Sequence, residues 1–226
     1  MKVGLISGHG AGDSGAVGCG YKEADLTIEL VKLLDSRLKA KGIETVVYPY
    51  NKNAYSDCKK SGLAVNFAGC DYVLEVHFNA CVNDKKGNGK VTGSEIYVTT
   101  KESHVDVEKK ILSNMSKIGF TNRGVKNENY TVINTIKNKW ISSALIETCF
   151  IDDKDDMNLY IDKKSEVVDA IVKGIVDGFG YKEPAKKSES DKLYKVQVGS
   201  FKSKENANKM LAKLKKAGFD GCIVTK

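Results

Sequence analysis

Apolar and polar positions divide the first 180 residues into alternating short apolar runs and longer amphipathic stretches. Lys2–Ser7 is an apolar run that ends in Gly8-His9-Gly10, which predicts a strand entering a glycine-rich loop. Glu23 opens a stretch in which Leu26, Leu30, Leu33, Leu34 and Leu38 recur at helical spacing, and Lys41-Gly42 closes it. Thr45–Tyr48, Tyr72–Phe78, Gly93–Val98 and Ser143–Phe150 read as further strands. Helices are expected at 55–68, 104–118 and Ser165–Phe179, the last with Val167, Val168, Ile171, Ile175 and Val176 on one side. The alternation predicts an α/β fold, a mostly parallel β-sheet flanked by helices. Ligands in such folds sit beyond the carboxyl ends of strands, which brings the ends of 2–7, 72–78 and 143–150 together in prospect.

Beyond residue 180 the pattern changes. Residues 181–192 (YKEPAKKSESDK) are polar and charged and read as a linker. Leu193–Val198, Lys204–Ala217 and Gly221–Val224 read as strand, helix and strand, a small C-terminal βαβ module. A unit of this size does not bury a core alone. The expected domains are therefore 1–180, the linker 181–192 and the module 193–226.

Charge sharpens that division. Residues 181–226 hold 12 Lys and 5 acidic residues, whereas 1–180 hold 24 charges of each sign, so the whole net charge of +7 sits on the tail. A basic tail points to an anionic partner or serves as a solubilising appendage. It contains no Arg and few aromatic residues, which argues against nucleic acid. No apolar run approaches the roughly 20 residues of a membrane helix, so membrane insertion is not expected. The N-terminus lacks an apolar signal region, so synthesis in the cytoplasm and action after release is the expectation. The six Cys form no CxxC pair and are read as mostly free thiols.

Three His are present, His9, His77 and His104. His9 and His77 each fall at the carboxyl end of an expected strand, and Glu23 falls at a helix start. A His–Glu–His set with an open fourth position is a catalytic zinc shell. Spacing alone leaves open two ordinary loop histidines and a Glu favoured by the helix dipole. Glu147 interrupts the apolar strand SALIETCF, where a carboxylate is costly unless paired, metal-bound or functional; a strand-end Glu at a loop is the other reading. His104 is assigned to the surface. Tyr130 and Asn134, in NYTVINTIKN, line a substrate groove or belong to a plain surface strand, the latter being preferred.

These residues carry a resemblance. Gly8-His9-Gly10, Asp13-Ser14-Gly15-Ala16, Lys22-Glu23, Val76-His77-Phe78-Asn79-Ala80, Gly93-Ser94-Glu95-Ile96-Tyr97, and Ile146-Glu147-Thr148 with Phe150-Ile151 occur in the order seen in amidase type 3 proteins. The chain resembles these zinc-dependent N-acetylmuramoyl-L-alanine amidases over about residues 1–180. The resemblance implies a phosphorylase/hydrolase-like α/β domain, Zn2+ held by His9, Glu23 and His77, Glu147 as the catalytic carboxylate, and bacterial peptidoglycan as substrate. Ala11 stands where the family usually has Gly, Glu75 where Ser is frequent, and Cys149 where a small residue is typical. By the period of two, Glu75 shares the strand face of His77, as a partner for that ligand or as a groove-wall charge.

The tail, from Tyr194 to Phe201 and through Asn206-Ala207, Leu211 and Gly218-Phe219, is similar to half of a sporulation-related repeat (SPOR) domain. That implies wall binding, and a half-domain suggests a homodimer paired through the tails. The expected reaction is hydrolysis of the amide between N-acetylmuramic acid and L-alanine, in an endolysin released from phage-infected cells. A host autolysin, a mother-cell spore-lysis amidase and a non-catalytic wall-binding protein are the alternatives. A glycan deacetylase or a stem peptidase would be a different zinc hydrolase.

Overall fold

The computed structural model describes residues 1–183 and 196–225. The chain divides into two compact units, Met1–Pro184 and Ala185–Lys226.

Six strands of the first unit form one sheet: β1 (Lys2–Ser7), β4 (Glu44–Val47), β5 (Tyr72–Asn79), β6 (Ser94–Val98), β7 (Asn122–Asn127) and β8 (Ser142–Phe150). Their order is β4-β1-β5-β8-β6-β7. All neighbours run parallel except β8 and β6. The two-residue strands β2 (Val17–Gly18) and β3 (Tyr21–Lys22) make a small hairpin before the first helix.

Each sheet face buries its own core, because successive strand side chains point to opposite sides. Val3 and Leu5 of β1, Leu74, Val76 and Phe78 of β5, Ile96 and Val98 of β6, and Ala144 and Ile146 of β8 share one cluster. Helices α1 (Glu23–Ala40), α3 (Asp106–Ile118), α5 (Lys154–Asp162) and α6 (Lys164–Gly178) contribute to that cluster. The other face packs Ile6 and Val73 with Tyr48, Phe67, and Val132 and Ile136. The short helices α2 (Ala54–Lys60) and α4 (Thr131–Lys137) lie on this side. On the better-covered face α3 and α6 approach closely: a Cβ at Gly174 would lie 2.6 Å from the backbone nitrogen of Ile111.

Several expectations need correction. The helix expected over 55–68 stops at Lys60; the chain turns at Gly62, whose φ of 87° is left-handed. NYTVINTIKN forms helix α4, not a surface strand. Its β-branched residues suggested a strand, but Val132, Ile133 and Ile136 lie at helical spacing and are buried. Leu33 of α1 is exposed, off the buried stripe of Leu26, Leu30, Leu34 and Leu38. Strand β7 and helix α5 had no counterpart in the sequence reading.

In the second unit, α7 (Lys204–Lys216) begins at Ser203, whose side chain accepts from the Asn206 N–H. Residues 221–224, expected as a strand, carry no regular structure, nor do 196–198. The expected βαβ module is therefore a helix with irregular flanks among the described residues. Residues 184–192 of the expected linker and 193–195 of the first tail strand lie outside the described residues. No helix among the described residues is long and apolar enough to cross a membrane.

Candidate metal and catalytic site

The loop after β1 carries His9. Its φ of 65° is left-handed and strained for a non-glycine residue. The turn is held by mutual backbone bonds between Gly10 and Asp13 of 2.9 and 3.1 Å. It brings the imidazole Nε2 to 3.1 Å from Oε2 of Glu23, the first residue of α1. The other Glu23 oxygen lies 2.9 Å from Nδ1 of His77, on β5. Glu23 also accepts the N–H groups of Ala16 at 2.9 Å and Phe78 at 3.1 Å.

Close backbone approach makes room for these rings. A Cβ at Gly8 would fall 2.3 Å from the His77 ring, and one at Gly15 would fall 2.6 Å from the His9 ring and 2.7 Å from Glu23. The far nitrogen of each imidazole faces a carboxylate. His9 Nδ1 lies 2.9 Å from Asp13, and His77 Nε2 lies 3.3 Å from Glu75. Glu75 is buried and shares the sheet face of His77.

His9, Glu23 and His77 thus offer two nitrogens and an oxygen within 4.8 Å of one another. Each imidazole faces a different Glu23 oxygen, at 2.9 and 3.1 Å, so the carboxylate lies between the two rings. The donor set suits zinc, and both rings already have the outer carboxylate that orients a ligating His. Burial alone would raise the Glu23 carboxyl, but hydrogen bonds from His77 and His9 hold it well below the usual carboxylate range. Glu23 in turn raises His9, and Glu23 and Glu75 raise His77 against its burial.

Glu147 stands beside this group. On β8 it is the register partner of His77 on β5 and of Glu95 on β6, so the three side chains form a row on one face. Its Oε2 is buried without a hydrogen-bond partner. Burial pushes its carboxyl up to about 8, against the attraction of His77.

The row continues into residues that the sequence reading left without a role. Glu95 is 2% exposed. It accepts from Asn79 Nδ2 at 2.9 Å, Tyr97 OH at 2.7 Å, Arg123 Nε at 2.7 Å and Lys126 Nζ at 2.6 Å. The signal that singled out Glu147, a carboxylate in an apolar strand, is present at Glu95 too. Tyr130, at the start of α4, packs edge-on against Tyr97 with ring centroids 5.0 Å apart. Asn134 lies one turn along α4, half-buried. His104 is exposed ahead of α3, away from this group.

A second acidic set, Asp84, Asp153 and Asp155, has oxygens close enough for a cation. Here the carboxylates bind loop backbone: Asp155 accepts from Asn88 and Gly89, Asp84 from Gly87, and Asp153 caps α5. No imidazole joins them.

The N-acetylmuramoyl-L-alanine amidase family matches residues 3–177. The chain belongs to this family. Its activity is hydrolysis of the amide that joins N-acetylmuramic acid to L-alanine in peptidoglycan. A SPOR domain matches residues 173–225. The sporulation-specific N-acetylmuramoyl-L-alanine amidase of Bacillus subtilis (strain 168) is 29% identical over 236 residues, covering 100% of this chain and 85% of its own. The endolysin of Bacillus phage SPP1 is 28% identical over 184 residues, covering 78% and 64%. An N-acetylmuramoyl-L-alanine amidase from Clostridium difficile 630 shares the fold, with a TM-score of 0.66 and 23% identity over 80% of this amidase and 98% of that chain.

The buried, unpartnered oxygen of Glu147 predicts a pH dependence for the metal-free amidase. This carboxyl ionises near 4.5 when unfolded and near 8 when folded. The folded state holds the extra proton between those values, so stability falls as pH rises through that window. Urea unfolding at either end of the window should show a larger loss for the native protein than for Glu147→Gln. Equal losses would contradict the enclosed carboxyl.

Proposed function

We propose that this amidase works with one zinc ion held by His9, Glu23 and His77, and with Glu147 as the proton-transferring carboxylate. The observation that carries the reading is Glu147: an enclosed carboxyl with an unpartnered oxygen, in register with one His of a converging His–Glu–His set. When bound, zinc supplies Lewis acidity that brings the pKa of a water toward about 7 and polarises the scissile carbonyl. The protein supplies the rest. Asp13 and Glu75 fix the two imidazoles by their far nitrogens. Glu147 takes the proton of the attacking water and delivers it to the alanine nitrogen as the amide breaks.

The tail supports attachment to the wall. It matches a SPOR domain and carries the chain's excess positive charge. Val196, Val198, Phe219 and Val224 are well exposed. Pairing of two copies through their tails would cover these side chains. A full chain that sediments as a dimer, and as a monomer after Phe219→Asp, fits this pairing; a monomer at every concentration removes it.

Two settings are consistent with action at the wall. One is release from a phage-infected cell, a setting raised by the similarity to the endolysin of Bacillus phage SPP1. The other is lysis during sporulation. The second is favoured by coverage, because the sporulation-specific amidase aligns with the whole chain, tail included, while the endolysin aligns with 78% of it.

The test of the chemistry is product analysis on Gram-positive walls with and without a zinc chelator. New alanine amino termini without new reducing sugars, lost with chelator and restored by zinc, are expected. Glu147→Ala should lower turnover by about 10²–10⁴-fold with zinc content unchanged. New reducing ends, released acetate or cleavage within the stem would overturn the reading.

A further inference from the structure

The row of side chains that includes Glu147 ends in an excess of positive charge. His77, Glu147 and Glu95 project from β5, β8 and β6 on one face. The next strand, β7, bears Arg123 and Lys126, and both reach back to the same oxygen of Glu95. One buried carboxylate therefore faces two cations, although one would neutralise it. Asn79 and Tyr97 already donate to its other oxygen.

Neither cation is consumed by this contact. The side chains of Arg123 and Lys126 are 35% and 39% exposed. Arg123 gives Glu95 only its Nε, and among the described residues its two Nη nitrogens have no hydrogen-bond partner. Its guanidinium lies 4.9 Å from the Phe150 ring centroid, which holds the fork in place. A guanidinium fixed by Nε and an aromatic face presents its Nη pair as a ready carboxylate fork.

Direction along the substrate follows from Glu147. A group that hands a proton to the leaving alanine nitrogen must sit beside it, so the peptide side of the cleaved bond extends from Glu147 away from His77. Strands are about 4.8 Å apart, which places the β7 backbone roughly 10 Å beyond β8. An extended chain advances about 3.3–3.6 Å per residue, so the residue after alanine arrives over Glu95 and its cations. A fixed fork at that point fits a free carboxylate on this residue better than its neutral amide.

We propose that Arg123 and Lys126, braced by Glu95, form a subsite that binds a free carboxylate on the second residue of the stem peptide. The proposal rests on the amidase mechanism above and adds a substrate preference to it. Binding by a fixed cation pair favours an anionic stem over its neutral amide, because hydrogen bonds to a charged group are worth more than those to a neutral one.

The experiment compares two preparations of one peptidoglycan, with the second stem residue free or amidated, and reads release of alanine amino termini. The full-length protein should cleave the free-carboxylate polymer at least about tenfold more efficiently, mainly through KM. In Arg123→Gln that ratio should fall toward one, in Lys126→Gln it should fall less, and Arg123→Lys should keep part of it. Thermal melts of each variant separate this from loss of fold. Equal cleavage of both polymers by the native protein, or a folded Arg123→Gln that lowers both rates by one factor, would overturn the subsite. Failure of the native protein to release alanine termini from either polymer would instead sink the amidase mechanism.

Discussion

The register of β8 against its two neighbours is the constraint on which the site depends. His77 pairs with Glu147 and Glu147 pairs with Glu95, across one parallel and one antiparallel junction. Since strand side chains alternate with a period of two, a slip of one residue would turn Glu147 into the apolar core and expose Ile146 in its place. The core guards against that slip. Ile146 and Ala144 are fully buried against the helices of the better-covered face, so the apolar pattern that stabilises the sheet also aims its carboxylates at the other. A bulge after His77, where Asn79 pairs with Phe150, then ends the regular ladder at the site's edge.

Four carboxylates crowd that polar face, and each is accommodated differently. Glu23 is held ionised by two imidazoles and two backbone N–H groups. Glu75 faces the outer nitrogen of His77. Glu95 is saturated by two cations, a phenol and an amide. Glu147 alone has a buried oxygen without a partner and a carboxyl pushed up to about 8. A buried polar group left unsatisfied costs roughly 1–3 kcal/mol. The fold bears that cost at Glu147, beside the converging His–Glu–His set, so environment and not residue type sets this carboxylate apart from the other three.

Much of this could be read from the chain. The leucine spacing of α1 and the apolar runs of β1, β5 and β8 set the α/β class, and the strand-end positions of His9, His77 and Glu147 placed them within reach of one another. What escaped did so for physical reasons. Helix α4 is short and rich in Val, Ile and Thr, so its local preference pointed to a strand and its burial against β8 decided otherwise. Strand β7 is NRGVKN, with little apolar content, and exists because it adds to the open edge of β6. That is why Arg123 and Lys126 gave no signal: their meaning comes from a strand pairing that the sequence does not advertise. The period of two put Glu75 on the face of His77 but left open whether it partners the ring or lines a groove; the 3.3 Å approach to His77 Nε2 decides for the ring.

The proposed zinc site places one metal ion between His9, Glu23 and His77, with Asp13 and Glu75 behind the two rings. The most direct measurement is anomalous diffraction at the zinc edge from crystals of the full chain grown with zinc. One strong peak is expected about 2.0–2.2 Å from His9 Nε2, His77 Nδ1 and a Glu23 oxygen, with Glu75 still facing His77 Nε2 and Glu147 unligated. A peak at Asp84, Asp153 and Asp155 instead, or zinc on His77 Nε2 with Glu75 displaced, would contradict it.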